Sequence, residues 1–239
     1  MKWAEHRENN IPIKYPNELR VLSIDGGGIK GIIPIIYLKR IEKQLGASIH
    51  NFFDMICGTS TGGIIALGLA AGISATEISE IYKKKVGEIP PQKLFRNNVF
   101  SSKYSNKSLL KLLKSTYADK KLQMQILCYA FQLLSTIRLN QRFIKTPHHK
   151  EYHFDGDRFM WEVALAASSA PLYFPAAEIG DAECKIDWGL WANNPLLVAI
   201  AEAKKLGFGL EETKIFSLGT GDSIYQVNNK VAKKSGMKD

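Results

Sequence analysis

The chain has 239 residues, 45% hydrophobic and 10% aromatic, enough for one domain with a sizeable core and too few for two. Its 32 Lys and Arg against 23 Asp and Glu leave a net charge of +9, which suits an anionic partner, a membrane surface or a nucleic acid, without choosing between them. Cys57, Cys128 and Cys184 offer neither a disulfide framework nor C-x-x-C zinc spacing, the polar stretch from Met1 to Tyr15 lacks a signal peptide's apolar core, and no apolar run approaches the roughly 20 residues of a membrane span, so a reducing cytosol is expected.

Arg20 to Ile24 predicts a strand that runs into Asp25 and the loop Gly26-Gly27-Gly28-Ile29-Lys30-Gly31. Ile32, Ile35, Ile36, Leu38, Ile41 and Leu45 recur at helical spacing, and Gly46 supplies the stop. Phe52 to Cys57 is a second apolar strand, followed by Gly58-Thr59-Ser60-Thr61-Gly62 and a small-residue helix from Gly63 to Ala71. Lys83-Lys84-Lys85 concentrates charge on what reads as a solvated surface. Beyond Pro90 and Pro91 the pattern gives a Leu-rich helix at Ser108 to Leu113 and an ambiguous apolar stretch from Gln125 to Ile137. Arg158 to Ala167 predicts a helix and Lys185-Ile186-Asp187 a short strand. Asn194-Pro195 opens another helix, with Asn as cap and Pro at the first helical position, and Gly207 ends it. Lys214 to Leu218 is a last strand before Gly219-Thr220-Gly221. Strands that alternate with helices and end in glycine turns indicate an α/β sheet with its site along the carboxyl edge.

The pattern G-x-S-x-G at Gly58 to Gly62 has the form of a nucleophile elbow, a sharp strand-to-helix turn that lifts a serine hydroxyl above the sheet edge. Gly26 to Gly31 also fits the dinucleotide fingerprint G-x-G-x-x-G. Such a site wants an acidic residue at the end of the next strand, whereas Asp54 lies inside a strand that ends at the serine turn. The alternative is that the loop's N–H groups form an oxyanion hole for acyl transfer. The five histidines, His6, His50, His148, His149 and His153, all precede Asp187. Residue order leaves a Ser60, Asp119, His148 triad open, but no strand end or tight turn presents those groups, whereas Asp187 closes a strand.

Together, Asp25 to Gly31, Gly58 to Gly62 and Asp187-Trp188-Gly189 resemble the three signatures of patatin-like phospholipases, and Ala167-Ser168-Ser169-Ala170-Pro171 and Asn193-Asn194-Pro195 match stretches usual in that family. The resemblance covers 18–221, with 1–17 and 222–239 as short flanks, and implies a single-domain sandwich with a mostly parallel central sheet flanked by helices. It further implies a dyad in which Asp187 takes the proton of Ser60 directly, an oxyanion hole at Gly26, Gly27, Gly28, Lys30 and Gly31, and no metal or cofactor. Thr59 and Thr61, with Gly58 and Gly62, would form the elbow. The expected substrate is membrane phospholipid, met by peripheral contact at the inner face of a membrane, with no nucleic acid partner. Lys30 and the basic, cytosolic character resemble bacterial members switched on by cyclic dinucleotides in antiviral, anti-phage signalling.

Three departures from the family pattern stand out: Trp188 where a small residue is usual, an altered stretch from Leu122 to Lys145, and an end 18 residues after Gly221. An indole at Trp188 is expected to strain the turn and obstruct the acyl chain. Competing classes are a nucleotide-binding module using Gly26 to Gly31 and a catalytically weakened, lipid-binding relative.

Overall fold

The computed structural model describes residues 17–88, 106–124, 131–135, 141–147, 152, 155–170, 174–178, 184–187 and 192–222. In chain order the elements are β1 (Leu19–Ile24), α1 (Ile32–Leu45), β2 (Met55–Gly58), α2 (Thr61–Ala70), α3 (Ala75–Glu88), α4 (Lys107–Tyr117), β3 (Phe131–Ser135), β4 (Gln141–Ile144), α5 (Met160–Ala167), β5 (Ala177–Glu178), β6 (Cys184–Asp187), α6 (Leu196–Lys205) and β7 (Thr213–Leu218). Single 3₁₀ turns stand at Gly28–Gly31, Ile49–Asn51 and Leu122–Met124.

Alternation along β1 sends Leu22 and Ile24 to one face and Leu19 and Val21 to the other, and all four are buried. A strand apolar on both faces belongs in the middle of a covered sheet. It is flanked by β2 and β7 in the order β2-β1-β7, all parallel, with Ile24 level with both Gly58 and Leu218. The main core packs Leu22, Ile24 and Ile56 against α1, α2 and α5. A smaller cluster on the other face joins Leu19, Val21, Met55 and Cys57 to Ala199, Ala203, Leu206 and Phe208. A second sheet, antiparallel and ordered β4-β3-β6-β5, carries Asp187 at the end of β6.

The α/β class and the parallel sheet flanked by helices follow the sequence reading. β2 starts at Met55 rather than Phe52, because Ile49–Asn51 winds a turn and the Asp54 carboxylate accepts the Arg20 N–H at 2.9 Å. α5 starts at Met160, two residues late, where the Glu162 carboxylate accepts the Phe159 N–H at 3.1 Å. α6 begins one residue later than predicted, at Leu196, so the N-cap position falls on Pro195 rather than Asn194; Asn194, one residue further out, accepts the Leu196 N–H at 2.8 Å. Gly46 stops α1 in the left-handed conformation, at φ 64°. Within the ambiguous stretch, Phe131–Ser135 is the strand β3; the other residues of 125–137 lie outside the described ones.

Two buried polar ties hold the periphery. Lys145 and Tyr152 both contact the Glu202 carboxylate on α6, Tyr152 donating at 2.9 Å. The Glu42 carboxylate on α1 accepts the N–H of Ile49 at 3.1 Å and of Ala75 at 2.9 Å, so one side chain joins α1 to the turn before β2 and to the start of α3. Glu42→Ala orphans both donors in a buried place and should cost about 2 to 4 kcal/mol of unfolding free energy, read by urea denaturation.

Candidate active site

Parallel pairing of β2, β1 and β7 with level carboxyl ends sets three glycine turns side by side: the elbow after β2, Gly26 to Gly31 after β1, and Gly219-Thr220-Gly221 after β7. Ser60 sits between β2 and α2 at φ 54°, ψ −120°. A non-glycine residue there carries strain of about 1 to 3 kcal/mol, the kind that clusters at working sites. The turn closes through Thr59 N–H to the Ile24 carbonyl at 3.2 Å and Gly62 N–H to the Thr59 carbonyl at 2.8 Å. A Cβ at Gly58 would strike the Gly62 carbonyl, and one at Gly62 the carbonyls of Ile24 and Asp25, so both glycines are required by close backbone approach. Because α2 starts at Thr61, the positive pole of the helix faces Ser60.

The glycine loop packs directly on this turn: a Cβ at Gly26 would lie 3.3 Å from the Ser60 Cβ. Each loop carbonyl has a partner. Gly26 accepts from Asn193 Nδ2 at 3.0 Å and Thr220 Oγ1 at 2.8 Å, Gly27 from the Lys30 N–H at 3.1 Å, and Gly28 from Tyr82 Oη at 2.6 Å. The Gly26 N–H donates to the Asn193 carbonyl at 3.0 Å. The N–H groups of Gly27 and Gly28 meet no acceptor among the described residues, and Gly28, at φ 55°, opens onto free space. Gly31 is buried against Thr61 and Tyr82, whose hydroxyls contact each other. Burial pushes the Tyr82 hydroxyl far above its usual range, so it stays a proton donor.

Asp187 is buried at the end of β6, its N–H donated to the Ser169 carbonyl at 3.0 Å. Five positions on, the Ala192 carbonyl accepts Thr59 Oγ1 at 3.2 Å, and Asn193 follows with its bonds to Gly26. The segment after Asp187 therefore touches both the elbow and the glycine loop. His50 stands in the turn before β2, at the opposite end of that strand from Ser60. Asp54 lies at that same amino-terminal edge, bonded to Arg20, where no ribose above the glycine loop would reach it. Asp119 is exposed in the turn after α4, while His6, His148, His149, His153, Trp188 and Gly189 lie outside the described residues.

The sequence reading missed Tyr82 and the parts played by Asn193 and Thr220. The helix carrying Tyr82 had a signal: Ser74-x-x-Glu77 forms a reciprocal cap, with Ser74 Oγ accepting the Glu77 N–H at 3.2 Å and Glu77 accepting the Ser74 N–H at 2.9 Å. Ile78 and Tyr82 stand four positions apart on its buried face.

A serine elbow beside a backbone-amide loop on an α/β sheet defines a class, and the comparisons narrow it. Residues 22–200 match the family model described as patatin-like phospholipase. The chain belongs to that family. It is 33% identical to a cGAMP-activated phospholipase of Vibrio cholerae across 92% of this chain and 69% of that protein, and 34% identical to one of Pseudomonas aeruginosa across 87% and 60%. A calcium-independent phospholipase A2-gamma of Oryctolagus cuniculus is 30% identical across 88% of this chain and 29% of its own length. Among solved structures, VipD from Legionella pneumophila shares the fold at a TM-score of 0.54 and 12% identity, covering 93% of this chain and 53% of VipD. The chain thus spans about half to two thirds of the bacterial proteins it matches.

Asp25 adds a charge behind the loop. Burial raises its pKa above 3.8, and its Oδ1 is buried without a hydrogen-bond partner among the described residues. A carboxyl held above its unfolded value favours the folded state fully below the unfolded pKa and loses that contribution as pH climbs through the folded one. Asp25→Asn should therefore gain melting temperature relative to the native chain between pH 3.5 and pH 7, measured by calorimetry.

Proposed function

We propose that this protein is a serine acyl hydrolase that cleaves fatty-acyl esters of membrane glycerophospholipids through Ser60 and Asp187. The observation that carries the reading is Ser60 in the left-handed turn, at the positive pole of α2 and against a loop with two unpaired N–H groups among the described residues. In this mechanism Ser60 Oγ attacks the ester carbonyl carbon while its proton passes to the Asp187 carboxylate. The oxygen that becomes negative is held by the N–H groups of Gly27 and Gly28, fixed before reaction begins. Gly26, Lys30 and Gly31 shape that loop. Collapse of the tetrahedral intermediate expels the lysophospholipid oxygen, which takes the proton from Asp187. Water, deprotonated by the same carboxylate, then releases the fatty acid and regenerates Ser60.

Ser60→Ala should abolish fluorophosphonate labelling and lower kcat by several orders of magnitude with the melting temperature kept, and Asp187→Asn should do nearly the same. A double variant far slower than either single one would overturn the dyad, because groups that act as one unit lose their effect together.

Contact with the substrate surface is supported by the outer face of α1. Ile29 at 59% exposure and Tyr37 at 56%, with Ile33 and Ile36, form an apolar stripe leading from the glycine loop, and Arg40 and Lys43 are exposed further along the same helix. Exposed apolar side chains beside basic ones suit an anionic phospholipid surface. Among the described residues no helix is long and apolar enough to cross a membrane. The bacterial relatives named cGAMP-activated support a cyclic dinucleotide as activator, and a role in antiviral defence is part of the same proposal. Hydrolysis of phosphatidylglycerol vesicles should rise severalfold with one member of a panel of cyclic dinucleotides, and vesicle binding should weaken with added salt as the charge contacts are screened. No response to any member would remove the activator from this reading.

A further inference from the structure

A trans peptide holds its C=O and N–H on opposite sides of one rigid plane, so whatever grips the carbonyl of one residue aims the N–H of the next. The Gly26 carbonyl is gripped twice, by Asn193 Nδ2 at 3.0 Å and by Thr220 Oγ1 at 2.8 Å. The N–H on the far side of that plane belongs to Gly27, a donor with no acceptor among the described residues. Thr220 also sets the space behind it: a Cβ on Gly27 would come within 2.6 Å of the Thr220 Cβ and 2.8 Å of its Cγ2. Thr220 is itself buried, at 6% exposure, in the turn that follows β7.

We propose that the Thr220 hydroxyl, with the Asn193 carboxamide, is a positioning device for catalysis, clamping the Gly26–Gly27 peptide so that the Gly27 N–H points at the developing oxyanion. The proposal rests on the serine hydrolase reading and adds to it residues that touch no substrate. Two bonds on one carbonyl fix the tilt of the peptide plane and polarise it, which makes the opposing N–H a stronger and better aimed donor. A donor aimed at charge that exists only in the transition state acts on kcat and leaves substrate binding alone. Removing one oxyanion donor altogether costs about a hundredfold to a thousandfold, so loosening its aim should cost about tenfold to a hundredfold.

The test compares Thr220→Val, which keeps the shape and removes the donor, with Thr220→Ser, which keeps the donor and loses a methyl group. Steady-state kinetics on a short-chain p-nitrophenyl ester, fluorophosphonate labelling rates and melting curves are recorded for each, in the presence of whichever cyclic dinucleotide gives the highest native rate. T220V should lower kcat and the labelling rate about tenfold or more with KM within about twofold of native, and T220S should stay within about threefold of native in both. If T220V melts early, Thr220→Ala, which only removes atoms, is read in its place by the same criteria. A T220V (or T220A) enzyme with native kcat, a loss confined to KM, or a T220S enzyme as slow as T220V would each overturn the clamp. Ser60→Ala in the same series separates the two ideas, since native turnover there sinks the nucleophile itself, whereas a Ser60-dependent rate indifferent to Thr220 sinks only the positioning role.

Discussion

Gly62 comes so close to the end of β1 that any side chain there would collide with the carbonyls of Ile24 and Asp25. That approach of helix start to strand end sets the rest of the site. It draws the elbow down onto the central strand, where Thr59 bonds to Ile24, and so brings Ser60 against the loop that leaves the same strand one residue later. The parallel register then adds the turn after β7 on the other flank, because Ile24 is level with Leu218 as well as with Gly58. Three loops from three strands meet at one edge, and the glycines among them permit contact at backbone distance.

A serine held at positive φ is a local cost that its surroundings must offset. They do so with buried polar contacts arranged around it. Thr61 and Tyr82 pair behind the turn, Tyr82 reaches on to the Gly28 carbonyl, and Tyr117 donates to the Ile64 carbonyl one helical turn along α2 at 3.0 Å. Lys120 closes the far end of the same helix by donating to the Ala71 carbonyl at 2.9 Å. Glu42 ties α1 to α3, and α3 carries Tyr82, so the support behind Ser60 extends to α1.

Much of this was legible in the sequence because its signals are local. β1, β2 and β7 are short apolar runs that end in glycine turns, and a G-x-S-x-G between strand and small-residue helix announces an elbow from a handful of adjacent residues. The antiparallel sheet was not legible, since pairing between β3 and β6 joins Leu133 to Asp187 across a span that leaves no mark on either segment alone. The grips on Gly26 were hidden for the same reason, Asn193 and Thr220 standing 167 and 194 residues away. α3 had a readable cap at Ser74 and Glu77, but the lysine run Lys83 to Lys85 follows Tyr82 directly and gives that stretch the pattern of a charged surface.

The residues after β6 hold one more implication. Ala192 bonds the elbow through Thr59, Asn193 bonds both the N–H and the carbonyl of Gly26, and Asp187 lies a few residues upstream on the same stretch of chain. A substitution that shifts Ala192 or Asn193 would therefore be felt at the nucleophile's turn and at the amide loop together. One short segment thus couples the nucleophile's turn to the amide loop, in addition to the direct bond of Thr59 to Ile24.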